Sequence, residues 1–173
     1  DIMQNSIRAD ATLIKLIINE DKDNNKLVIE IIDNGKGMDK TERKEVIDPF
    51  VTSRTTRDVG LGIPLLKAAA ERCDGQVKLK STSGKGTEIQ AEFKYDHIDR
   101  APLGDITGTI SSIIAANPEL ELIYKHIVNE KEFVFATKDI REELEGVRIN
   151  HPRVIAWIED YLKTGLKNLG GGE

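Results

Sequence analysis

Four short stretches of this sequence carry residue types and spacings suited to chemistry: Asp1, Asn5 and Arg8; DNGKGM at 33–38; GLG at 60–62; and GKGT at 84–87. At about 100° per residue, Asp1, Asn5 and Arg8 line one side of a short helix, while Ile2, Met3, Ser6 and Ile7 cluster on the other. In KLVIEIIDN (26–34) the two-residue period of a strand puts Leu27, Ile29, Ile31 and Asp33 on one face, so a carboxylate follows three aliphatic side chains inward. A buried carboxylate is costly unless donors satisfy it. The exocyclic amine of a flat base such as adenine is such a donor, and Gly35, Gly37 and the neighbouring Met38 belong to a turn that lets a flat ligand approach the backbone. Thr87, preceded by a glycine, adds a hydroxyl at the same place. Gly60, Leu61 and Gly62 lead into a helix whose first amides suit a phosphate. Asn5 offers an uncharged oxygen to Mg²⁺, and Arg8 a counter-charge one helical turn later. Each stretch alone also reads as an ordinary turn or helix start; their order along one chain is what points to a nucleotide.

The elements that must position these groups are legible in outline. Residues 1–9 read as the end of a helix. TLIKLIINE (12–20) and KLVIEIIDN (26–34) flank the turn-forming stretch 21–25 and read as a hairpin. Asp39 with Glu42 has the spacing of a capping box and opens a short helix that stops before Pro49. VTSRTTRDV (51–59) has no apolar period and reads as a lid in which Arg54 and Arg57 meet phosphate charge. Pro64 suits the first turn of a helix running to Gly75, and residues 76–82 and 87–95 form a second hairpin around SGKG. After a polar linker at 96–104 come a helix at about 105–116, a third hairpin turning at Asn129-Glu130, and two closing helices. Asp139 with Glu142 is read as capping the first of these; Pro152 opens the second, whose apolar stripe includes Trp157 as a core residue.

Composition excludes several classes. The chain has 173 residues, 39% hydrophobic and 32% charged, which is that of a globular protein rather than a disordered one. Its net charge of −5 argues against a general nucleic-acid or acidic-membrane binder, and most of the negative excess falls after residue 96. No apolar run approaches the length of a membrane span and no secretory segment opens the chain, so a cytoplasmic location is expected. With one cysteine, Cys73, neither an internal disulfide nor a thiolate metal cage is available. The start at Asp1 rather than Met suggests a fragment.

Taken together the four stretches resemble the GHKL nucleotide-binding superfamily, which includes histidine-kinase catalytic domains, gyrase B, MutL and anti-sigma serine kinases. DIMQNSIRADAT is similar to its N box, DNGKGM to the first glycine box, DPFVTSRTTRDVGLGI to the lid and second glycine box, and SGKGTEIQAEF to the last; the DPF segment and short lid are most similar to histidine kinases. The resemblance covers residues 1–95. It implies the Bergerat fold: an α/β two-layer sandwich with a mixed sheet and helices on one face, binding ATP with Mg²⁺. It further implies that Asn5 coordinates Mg²⁺, Arg8 contacts phosphate, Asp33 reads adenine, Gly35, Gly37 and Thr87 complete the base pocket, and Gly60 and Gly62 bind phosphate. Asp1 stands where some relatives place a catalytic glutamate, and it is either a general base or a structural residue. No Walker A motif occurs.

The strand and helix that usually precede the N box are not in the sequence. His97, His126 and His151 all follow the ATP-site motifs, none lies in a phosphoacceptor box, and each is read as a surface or packing residue. The reading is therefore two-part: residues 1–96 as an ATP-binding domain, and 97–173 as a small α+β extension. The expected activity is transfer of the γ-phosphoryl group to a side chain supplied by a protein partner. The alternatives are an ATP-dependent conformational switch with slow hydrolysis, and a non-catalytic nucleotide-binding regulator.

Overall fold

The computed structural model describes residues 1–47 and 61–170. Three antiparallel hairpins supply the sheet: β1 (Leu13–Asp21) with β2 (Lys26–Asp33), β3 (Gln76–Thr82) with β4 (Gly86–Lys94), and β5 (Glu121–Val128) with β6 (Lys131–Ala136). The first turn is closed locally, with Asn24 donating its backbone N–H and side-chain amide to the Asp21 carboxylate and Asn25 taking φ +54°. Those Asn24 bonds hold the Asp21 carboxyl below its ordinary range. The third turns at Asn129, φ +51°, as the local sequence suggests.

Among the described residues these strands make one six-stranded sheet in the order β3-β4-β2-β1-β5-β6. β1 is its seam. It pairs antiparallel with β2 on one side and parallel with β5 on the other, in register from Leu13 opposite Glu121 to Glu20 opposite Val128. The hairpin that follows the polar linker thus extends the same sheet as the motif-bearing strands.

Strict alternation along β1 sends Ile14, Leu16 and Ile18 inward, where with Leu27 and Leu122 they form a single core with the helices. That core takes Met3 from α1 (Ile2–Arg8), Ala70 from α3 (Gly62–Arg72), Ile110, Ile113 and Ile114 from α4 (Ile106–Ala116), and Ile158 and Leu162 from α6 (Pro152–Leu169). The result is a two-layer α/β sandwich, as expected. α2 (Lys40–Ile47) opens with the anticipated capping box: Asp39 accepts from the amides of Thr41 and Glu42, and the Glu42 carboxylate accepts from the Asp39 amide. α4 is capped by Asp105, which accepts from the Gly108 amide.

Two local expectations are corrected. α5 (Thr137–Glu143) begins two residues before Asp139, and its N-cap is Ala136 without a side-chain bond. Thr137 is drawn into the core instead, its hydroxyl accepting from the Leu122 amide, so tertiary packing rather than the acidic cap sets the start. Trp157 is not core: it is 51% exposed and stacks on Tyr161 with ring centroids 5.4 Å apart. The buried line of α6 runs through Ile158, Leu162 and Leu169, and Trp157 stands about 100° round the helix from Ile158. No described helix is long and apolar enough to cross a membrane.

The far end of the β1 and β5 core is polar. Glu20 and His126, 2% and 1% exposed, face inward where the preceding inward positions are aliphatic or aromatic. His126 Nε2 lies 2.6 Å from Glu20 Oε1, Nδ1 lies 2.6 Å from the Tyr124 hydroxyl, and the Tyr95 hydroxyl donates to Glu20 Oε2 at 3.0 Å. Burial, helped by the Glu20 charge, raises the Tyr124 hydroxyl well above its ordinary value, so it keeps its proton and donates to Nδ1. Nε2–H then donates to Glu20, which defines the neutral tautomer. Burial lowers the His126 pKa from its ordinary 6.5, against the pull of Glu20. An unfolded chain therefore takes up a proton near pH 6.5 that the folded one resists. The stability held by neutral His126 is complete above that pH and is lost as pH falls below it, by at most about 1.4 kcal/mol per pH unit for one proton. Urea midpoints measured at pH 7.5 and 5.5 should show this decline, and His126→Gln should flatten it; an unchanged slope in that variant would assign the effect to other groups.

Candidate functional site

The sequence places Asp33 at the inward end of β2, and the structure adds what satisfies it. Oδ1 accepts from the backbone N–H groups of Gly35 at 2.9 Å and Thr87 at 3.2 Å, and Oδ2 accepts from the Ser6 hydroxyl of α1 at 2.7 Å. Asp33 is 8% exposed. A carboxylate has about four acceptor directions. Three are taken, and the one left is on Oδ2.

Glycine is required at the joints around this carboxylate. A Cβ on Gly35 would stand 2.6 Å from the carbonyl oxygen of Ala9, at the end of α1. Gly37 has φ +63°, and its Cβ would stand 2.1 Å from the Thr82 carbonyl oxygen. The loop 33–38 and the turn 83–86 are therefore pressed together, and the Gly84 amide donates to the Lys36 carbonyl at 2.7 Å. Ser81 ties the two further: its hydroxyl accepts from the Met38 amide, donates to the Gly86 carbonyl and lies 2.9 Å from the Thr87 hydroxyl. Thr87 sits opposite Asp33 in the β2–β4 register.

A second group forms where α1 meets α3. Gly62 is buried at the start of α3, and a Cβ there would stand 2.9 Å from the Cβ of Asp1. Neither helix start has a side-chain cap bond: the N-cap of α3 is Leu61, 64% exposed, and that of α1 is Asp1, also exposed. Among the described residues, no side chain caps the first amides of α3. Asn5 is half-buried one turn after Asp1, with Arg8 exposed beyond it, and neither side chain bonds to a described residue.

The structure accordingly gathers Asp33, Gly35, Gly37, Met38 and Thr87 at one end of β2 and β4, and Asp1, Leu61 and Gly62 at the paired starts of α1 and α3, with Asn5 one turn along α1 and Arg8 at its other end. Ser6 joins the two groups through its bond to Asp33. Arg54, Arg57, Gly60 and the expected lid at 51–59 lie outside the described residues. Two participants go unnamed in the motif reading, Ser6 and Ser81. Ser6 is signalled in the sequence as a polar residue on the inward side of α1, where it needs a partner; Ser81 is not distinguishable from any other strand serine.

Comparison with known proteins bears on the first half of the chain. Residues 1–97 match the family model described as histidine kinase-, DNA gyrase B-, and HSP90-like ATPase. The autoinducer 2 sensor kinase/phosphatase LuxQ of Vibrio parahaemolyticus is 39% identical over 88 residues, covering 47% of this chain and 10% of that protein. Sporulation kinase C of Bacillus subtilis is 30% identical over 90 residues, 52% of this chain and 21% of that one. Sensor histidine kinase YxdK of the same organism is 29% identical over 83 residues, 46% of this chain and 26% of its own length. The chain thus spans about a quarter or less of these relatives. Among solved structures, the ATPase domain of Aquifex aeolicus MutL complexed with ADP is similar at a TM-score of 0.46 and 15% identity, over 85% of this chain and 66% of that one. With residues 1–97, more than half of its length, matched by the family model, the chain belongs to the histidine kinase-, DNA gyrase B- and HSP90-like ATPases.

Proposed function

We propose that the chain binds ATP with Mg²⁺ and is the catalytic module of a histidine-kinase-type phosphotransfer system, giving the γ-phosphoryl group to a protein side chain on another segment or chain. The observation that carries the reading is the unspent acceptor direction on Asp33 Oδ2, beside a loop packed so closely on the Ala9 and Thr82 carbonyls that Gly35 and Gly37 admit no Cβ. That geometry fits the amino group of adenine. Bound Mg²⁺ would neutralise triphosphate charge and align the transferred group. The uncommitted amide of Asn5 would offer it an oxygen, Arg8 would face phosphate, and the uncapped amides at the start of α3 would take phosphate oxygens. Asp1, with its carboxylate free of the helix cap, is positioned to accept a proton or to hold Gly62 in place. In this reading residues 1–96 carry the nucleotide, and 97–173 connect it to a partner. The placement of β1 between β2 and β5 also favours a second reading, an ATP-dependent switch in which the nucleotide end of the sheet is felt in the extension.

Incubation of the purified chain with γ-labelled ATP and a cell extract tests the phosphotransfer reading. One labelled acceptor band is expected, and its acid lability tells a phosphohistidine from a phosphoserine. ATP binding with hydrolysis but no labelled band would favour the switch. Asn5→Ala should remove most of the Mg²⁺-dependent gain in ATP affinity, about fivefold to tenfold, and leave Mg²⁺-free adenosine binding unchanged in calorimetry. Equal losses with and without Mg²⁺ would make Asn5 a structural residue.

A further inference from the structure

We propose that the chain has a second small-molecule site, a cavity of about 670 Å³ between the end of the β1–β5 core and α6, that takes a small organic anion. It is separate from the nucleotide site. Asp33 lies opposite Ile14 at the start of β1, whereas the cavity opens beside Glu20 and Lys22 at its end, about 20 Å further along the strand.

Three observations carry this. The floor is polar and charged: His126 lines the cavity and is bonded to Glu20, both facing inward after the aliphatic positions Ile14, Leu16 and Ile18 of β1 and Leu122 of β5. A buried pair of this kind is weak as a stabilising device, since apolar residues of equal volume serve as well or better. The rim is cationic, with Lys22, Lys163 and Lys167 lining it. Lys22 lies 4.0 Å from Glu20 Oε2 and reaches the Gly170 carbonyl at 3.4 Å, Lys163 pairs with Glu159, and Lys167 has no ion pair among the described residues, which leaves it as the rim cation open to an anion. The one rim carboxylate, Asp105, caps α4; its bonds from the Gly108 amide and the Thr107 hydroxyl keep it ionised, and its charge is felt by Lys163. The walls are apolar, from Leu103, Ile106 and Leu166, with Tyr95 beside them. The volume falls in the range of small-ligand pockets, and apolar walls with a few convergent charges are their usual chemistry. An apolar body against those walls and an acidic group among the lysines satisfies both.

Phenyl phosphate is a suitable probe, with benzyl alcohol and inorganic phosphate as its apolar and ionic halves. Binding to the full chain is followed by the imidazole NMR signals of His126, which phenyl phosphate at the nucleotide site would not reach. Saturable movement of these signals by phenyl phosphate is expected, at least tenfold tighter than by either half alone. Lys163→Ala with Lys167→Ala should weaken it about tenfold, with the melting temperature unchanged because both side chains are exposed. The proposal is overturned by any of three results: no saturable His126 response, equal affinity for benzyl alcohol or inorganic phosphate, or full affinity in the double lysine variant.

Discussion

Asp33→Asn is expected to weaken ATP binding about 10- to 150-fold, the 1.5–3 kcal/mol of a hydrogen bond to a charged group, while barely moving the melting curve of the nucleotide-free protein. The split follows from the two oxygens having different duties. Oδ1 holds the Gly35 and Thr87 amides together and must remain an acceptor, so the amide nitrogen of asparagine takes the place of Oδ2. There it meets the Ser6 hydroxyl, which can rotate from donor to acceptor at little cost. An adenine amine has no such freedom, and two donors face one another. Calorimetry with ATP and a thermal melt without it check both halves; wild-type ATP affinity in the variant would remove Asp33 from the base pocket.

Gly86→Ala should destabilise the fold by about 3 kcal/mol or more and reduce ATP binding with it. Gly86 has φ +89°, and a Cβ there would stand 1.9 Å from the carbonyl oxygen of Asp33 and 2.9 Å from the Cα of Asn34. The clash is with backbone, so β4 would have to separate from β2 at the pair formed by Asp33 and Thr87. Gly84, two residues earlier, is the control. Its φ is +77° but its Cβ would meet open space, so Gly84→Ala carries only the left-handed strain of about 1–2 kcal/mol. Equal losses in denaturant melts of the two variants would show that the close approach at Gly86 does not limit stability.

Local pattern made much of this molecule legible. The alternation in 26–34, the capping box at Asp39 and the turn residues 21–25 each encode their structure within a few residues. What is decided by distant partners is not written locally. Nothing in ELIYKHIV (121–128) says that it will lie parallel to a strand a hundred residues earlier, because a two-residue period specifies a face and not a neighbour. Glu20 is the instructive case. It follows Ile14, Leu16 and Ile18 inward by the same rule that marks Asp33, but its partners His126 and Tyr95 come from other parts of the chain, and only the fold joins them. Trp157 fails for the opposite reason: the apolar stripe of α6 is wider than the surface available to cover it, and packing covers Ile158 and Leu162 first.

The central position of β1 limits how this protein could be taken apart. A fragment ending at residue 96 would keep every motif of the nucleotide site, yet it would lose β5 and leave those N–H and C=O groups of β1 between Leu13 and Glu20 that face β5 unpaired along a long edge. It would also uncover Ile14 and Ile18 where α4 and α6 contribute to the core, and strip Glu20 of His126. Such a fragment should associate through that edge rather than stay monomeric. Supplied separately, residues 97–173 would act as its missing strand pair, so that the two halves recombine as complementing pieces of one sheet.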